Sequence, residues 1–89
     1  MNKNIYTLVV TDTFAGEANF SWVNRFKIKA SSVQGAITAF AKIQGDRGWR
    51  FEYGDPSFAR YNLKGACVCV FVEFFDEFSQ DDSDYTLLN

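Results

Sequence analysis

Histidine is absent from these 89 residues, and proline occurs once, at Pro56. Without an imidazole the chain cannot build a Ser-His or Cys-His nucleophile pair, an HExxH metal helix, or the usual proton shuttle near neutral pH. Cysteine is scarce as well, at Cys67 and Cys69 only. Side chains two apart in an extended segment stand about 6.5–7 Å apart, beyond disulfide reach. A structural zinc needs two further Cys or His ligands, which this sequence does not supply. Both thiols are expected as small buried hydrophobes, an intermolecular metal or disulfide bridge being the other reading.

Neither glycine-rich phosphate loop, GxxxxGK[ST] or GxGxxG, occurs, so GDRG at 45–48 reads as a turn. Long apolar runs are missing too. The longest, Ala66–Val72, is far too short to cross a bilayer. MNKNIYTLVV has neither an adequate apolar stretch nor a small-residue cleavage site. The expectation is a cytoplasmic protein with reduced thiols, not an enzyme, and without a cofactor or metal.

Carboxylates are plentiful but arranged for solvation. Glu73, in FVEFF, is the one expected to be partly buried, as a strand-edge residue paired with a lysine. DDSD at 81–84 lacks the glycine and the spaced glutamate of a calcium loop and reads as a solvated tail. Net charge is −2, divided unevenly along the chain. Residues 1–50 hold seven cations against three acids (+4), and residues 51–89 hold two cations against eight acids (−6). Such asymmetry bears on partners and steering, not on fold.

Aromatic residues are abundant: ten Phe, four Tyr and two Trp make 18%. A core of this size cannot easily hide all of them, so some are expected on a surface that meets something. Periodicity places the elements. IYTLVVTD reads as a strand, with a turn centred on Gly16. Residues 19–30 alternate, predicting Phe20, Trp22, Phe26, Ile28 and Ala30 on the core side and Ser21, Arg25, Lys27 and Lys29 opposite. Ser32 then caps a helix of about twelve residues carrying Val33, Ala36, Ile37, Phe40 and Ile43, and Gly45 ends it. WRFEY alternates again, predicting Trp49, Phe51 and Tyr53 on one side, and GDPS turns the chain. FARYNL is a short strand or a loop. ACVCVFVEFF is apolar on both faces, which predicts a central strand, or one lying beneath the helix on one side and beneath aromatic or partner cover on the other.

The predicted fold is thus α+β: one small domain with an antiparallel sheet of four to five strands, order β-β-α-β-(β)-β, and one helix on one face. The domain is expected over residues 1–77, with residues 78–89 an acidic, flexible tail. KGACVCVF at 64–71 begins like an RNA-recognition strand, but Ala66 and Val68 stand where that motif needs stacking rings, so the match fails.

Two surfaces carry candidate contacts. Trp49, Phe51 and Tyr53 with Arg47 and Arg50 combine the residue types that dominate protein interfaces, and Asp76, Glu77, Asp81, Asp82 and Asp84 would steer a basic partner. Alternatively Arg25, Lys27 and Lys29, spaced near the phosphate repeat of an extended strand, form a single-stranded nucleic-acid site with Trp49 or Tyr53 stacking bases. A solvated strand face, or a row shielded by the folded-back tail, explains the same three cations.

In general style the chain resembles small phage and mobile-element proteins that interfere with host defence, of the anti-CRISPR or anti-restriction type. The shared traits are about ninety residues, no catalytic apparatus, one α+β domain, surplus rings and an acidic patch. The resemblance implies steric or DNA-mimicking inhibition of a host nucleic-acid-handling complex. The leading expectation is a non-catalytic binding protein, monomeric or homodimeric, acting through a protein–protein interface and not at a membrane.

Overall fold

A computed structural model describes residues 4–46, 48–75 and 85–89. The elements run β1 (Asn4–Phe14), β2 (Glu17–Ala30), α1 (Val33–Gln44), β3 (Trp49–Asp55), β4 (Phe58–Leu63), β5 (Val68–Phe74) and β6 (Thr86–Leu87). They form a single six-stranded sheet, ordered β3-β4-β5-β1-β2-β6, with α1 packed on one face. The α+β class holds. The expected four to five antiparallel strands become six in a mixed sheet, because Thr86–Leu87 pair parallel to Phe26–Lys27. Thr86 and Leu87 of the expected tail therefore belong to the sheet, and Leu88 packs against the core.

α1 forms where its capping residues dictate. The Ser32 hydroxyl accepts the Gly35 amide at 2.9 Å, and Gly45 ends the helix at φ 76°, where its amide donates to the Ala41 carbonyl. Val33, Ala36, Ile37 and Phe40 lie on one stripe and are buried. They cover a sheet face in which cross-strand neighbours share a side: Ala59, Val72, Leu8 and Phe26 in one row, Tyr61, Val70 and Val10 in the next. Leu8, Ile28, Val70 and Val72 have no exposed surface, and burying each such side chain contributes about 1.5–3 kcal/mol. β5 is central, between β4 and β1, as its two apolar faces predict.

The β1–β2 turn is a two-residue loop, Ala15–Gly16, with both residues at positive φ (54° and 84°). That is the type I′ geometry whose twist suits a hairpin, and it disfavours alanine at its first position. Ala15→Asn should therefore stabilise the protein by about 1 kcal/mol, raising the melting temperature by about 4–8 °C. A melt identical to the parent's would mean that the turn does not hold this conformation.

Beyond the turn the predicted alternation breaks. Thr11 pairs with Val23 but Thr13 with Ala18, so four residues of β2, Asn19–Trp22, oppose Asp12 alone. Phe20 sits at φ 56° inside this bulge. Phe20 and Trp22, predicted on the core side, are 56% and 42% exposed instead. Extra residues on one strand shift every later side chain relative to its neighbours, which a count of two along one segment cannot register. From Val23 onward the alternation is regular: Phe26 is half-buried, and Ile28 and Ala30 are buried.

A ring strip on the helix-free face as candidate functional site

Among the described residues the sheet's second face carries no helix, and register maps it directly. One row reads Tyr53, Arg60, Phe71, Val9, Arg25; a neighbouring row reads Asp55, Phe58, Glu73, Thr7, Lys27. Four rings link across these rows. Tyr53 lies 6.4 Å from Phe58, Phe58 lies 6.0 Å from Phe71 at 22°, and Phe71 stacks on Phe20 at 6.4 Å and 9°. The strip runs from β3 to the bulge of β2, with Phe58 and Phe71 half-buried and its two ends exposed.

Hydrogen bonds hold Phe20 at one end of this strip. Its amide donates to the Thr11 hydroxyl at 3.0 Å, and that hydroxyl donates to the Trp22 carbonyl at 2.9 Å. Asp12 accepts from the Ser21 hydroxyl (2.6 Å), the Asn19 side-chain amide (2.9 Å) and the Ser21 backbone amide (2.9 Å). These bonds, the Ser21 hydroxyl foremost, hold the Asp12 carboxyl well below the usual carboxylate range. It stays ionised near neutral pH and serves as a fixed acceptor, not a proton carrier.

Arg60 fastens the β1–β2 turn to the face. Only 8% exposed, it lies 5.8 Å over the Phe71 ring, donates from Nη2 to the Gly16 carbonyl at 2.8 Å and from Nε to Asn62 Oδ1 at 3.1 Å. Asn62 in turn donates to Glu52 Oε2 at 2.8 Å. Cys69, fully buried on this face, has its thiol pushed up by burial, against the opposing pull of Arg60, so it is held protonated. Cys67, expected to be buried with it, is exposed, because β5 begins one residue later. Glu73 is exposed on a central strand rather than at an edge. Among the described residues no group of three or more His, Cys, Asp or Glu could hold a metal ion, and no helix is long and apolar enough to cross a membrane.

The residues singled out from sequence are distributed differently from the expectation. Trp49, Phe51 and Tyr53 do not share a side. Phe51 pairs with Tyr61 but Tyr53 with Arg60, so the extra residue at Glu52 sends Tyr53 to the helix-free face and keeps the other two on the helix side. Trp49 is half-buried 6.1 Å from Phe40, its Nε1 buried without a hydrogen-bond partner. Phe51, 60% exposed, meets Tyr61 edge-on at 5.7 Å and lines a groove of about 490 Å³ beside α1 with Gln34, Ile37 and Thr38. Arg50 is exposed and pairs with Asn62. Arg47 and the acids Asp76, Glu77, Asp81, Asp82 and Asp84 lie outside the described residues.

Arg25, Lys27 and Lys29 do share the helix-free face, opposite Val9, Thr7 and Ile5. The row is not uniform. Arg25 and Lys29 are exposed, whereas Lys27 is half-buried with its ammonium 5.4 Å over the Phe75 ring, which itself meets Tyr85. The Asn89 side chain brackets the Lys29 backbone with bonds of 2.7 and 3.0 Å, extending the parallel edge. Sequence reasoning missed Phe58, Phe71, Phe20 and Arg60 as a group. The usable signal was β5 itself, apolar on both faces when one helix can cover only one of them.

Comparison with protein-family models, with curated proteins and with solved structures gives no match to this chain.

Proposed function

We propose that this protein is a non-catalytic binding module that engages another protein through the ring strip Phe20, Phe71, Phe58 and Tyr53. The reading rests on the strip's exposed ends, Phe20 and Tyr53, on a sheet face that no helix among the described residues covers. Covering Phe20 and Tyr53 alone removes on the order of 200 Å² of apolar surface, gross stabilisation of about 5 kcal/mol before the costs of association. Arg60, Thr11 and Asp12 hold the strip's surroundings in place beforehand, which lowers those costs. Arg25 and Glu73 flank it with opposite charges that can select among partners. In line with the resemblance to host-defence inhibitors, the partner would belong to a host nucleic-acid-handling complex, and binding would act by occupancy.

Affinity capture from nuclease-treated lysate tests this when three baits are compared. The parent and Phe14→Ser, altered 74% exposed but off the strip, should recover the same protein. The double variant Phe20→Ser/Tyr53→Ser should recover at least tenfold less. Equal recovery by all three baits would remove the strip as the interface. A signal that disappears with nuclease would favour nucleic acid at Arg25, Lys27 and Lys29 instead.

A further inference from the structure

Among the described residues β3 forms one edge of the sheet, and the opposite edge is the two-residue β6. All of β3 except half-buried Trp49 is exposed, and it contains neither proline nor lysine, residues that commonly blunt such edges. The Lys64 amide donates to the Gly48 carbonyl at 3.0 Å. In an antiparallel ladder the pairs alternate, so Gly48 and Arg50 turn their backbone groups to β4, while those of Trp49 and Phe51 point off the edge.

The side chains on this edge read almost the same in both directions: Trp49, Arg50, Phe51, Glu52, Tyr53. We infer that a second copy of this chain pairs antiparallel along β3, about a two-fold axis at Phe51. Phe51 and the partner's Phe51 then exchange two backbone hydrogen bonds. Arg50 falls opposite the partner's Glu52, and Glu52 opposite the partner's Arg50. Arg50 and Glu52 lie on the same, helix-free side here, both beside Asn62, so the two ion pairs form without a change of face. The Arg50 side chain has no hydrogen bond or ion pair among the described residues, and is free to make this one. The extra residue at Glu52 bends the strand beyond that point, which confines the symmetric pairing to Arg50–Glu52 and makes the dimer a weak one.

Antiparallel edge pairing keeps both helices on one side of a twelve-stranded sheet. It places the Tyr53 ends of the two ring strips on the common opposite face, flanking the junction. The dimer uses the edge and not the strip, so it stands or falls independently of the partner proposed above.

Sedimentation equilibrium between 10 and 500 µM tests it, concentrations chosen for micromolar self-association. The expected mass rises toward twice the 10.1 kDa chain. Arg50→Glu alone and Glu52→Arg alone each set like charges together twice per dimer and should weaken association roughly tenfold or more, whereas the double variant Arg50→Glu/Glu52→Arg should restore it. A second readout needs no substitution: the Phe51 amide should become protected from hydrogen exchange as concentration rises. A constant monomer mass, a double variant as weak as the singles, or a Phe51 amide indifferent to concentration would each overturn the pairing.

Discussion

Gly54→Ala is expected to unseat β3 from the sheet and to cost about 3 kcal/mol or more in unfolding free energy. Gly54 holds φ 143°, a region that residues with a side chain hardly enter. It also pairs with Ala59 where the two backbones lie close, so an added Cβ would stand 2.5 Å from the Ala59 Cα and would overlap the Phe58 carbonyl oxygen. Neither obstacle is the end of a flexible side chain, so the strand itself must move. Chemical denaturation gives the loss, and exchange of the Tyr53 and Asp55 amides locates it. Self-association along β3 should vanish in the same variant, and the Tyr53 end of the ring strip should be displaced. A denaturation midpoint matching the parent's would show that β3 does not lie on β4 in this register.

The second large effect concerns the other end of the strip. Thr11→Val keeps the shape of a fully buried side chain but leaves the Phe20 amide and the Trp22 carbonyl without their partner. The expected loss is about 2 kcal/mol, with Phe20 released from Phe71. Thr7→Val is the matched control. Thr7 is as deeply buried, yet its hydroxyl makes one long bond of 3.3 Å to the Glu73 carbonyl. Less than half the effect is expected there. Equal losses in a urea titration would show that buried shape, not the bulge's hydrogen bonds, sets the cost. Asp12 gives the same loop a pH dependence of known sign. Its carboxyl titrates lower in the folded chain than in the unfolded one, so its contribution is complete above the ordinary carboxylate range and fades as the pH falls below it.

How much of this could be read beforehand depended on the range of the interaction. The helix bounds were legible, since Ser32, the stripe Val33, Ala36, Ile37 and Phe40, and Gly45 lie within thirteen positions of one another, but Ile43, expected on that stripe, is 46% exposed in the last turn. The turns were legible as well. Asp55 accepts from the amides of Ser57 and Phe58 within its own tetrapeptide, around Pro56. Trp49, Phe51 and Tyr53 were expected on one side, and that expectation failed at Tyr53, which faces the other way. An extra residue at Glu52 leaves no mark on the pattern WRFEY; it exists only relative to Tyr61 and Arg60 on the neighbouring strand. The bulge at Asn19–Trp22 hid the strip for the same reason, since Thr11 and Asp12 create it from across the hairpin.

Local periodicity and capping chemistry alone determined that the described residues form one helix on a largely antiparallel sheet, with a central strand apolar on both faces. Tertiary structure decided which rings gather on the uncovered face, that Arg60 pins the hairpin turn above them, and that Thr86–Leu87 return to close the far edge. Periodicity is a property of neighbours along the chain, whereas a bulge, a strand order or a parallel partner sixty residues away is fixed by hydrogen bonds that exist only once distant segments have met.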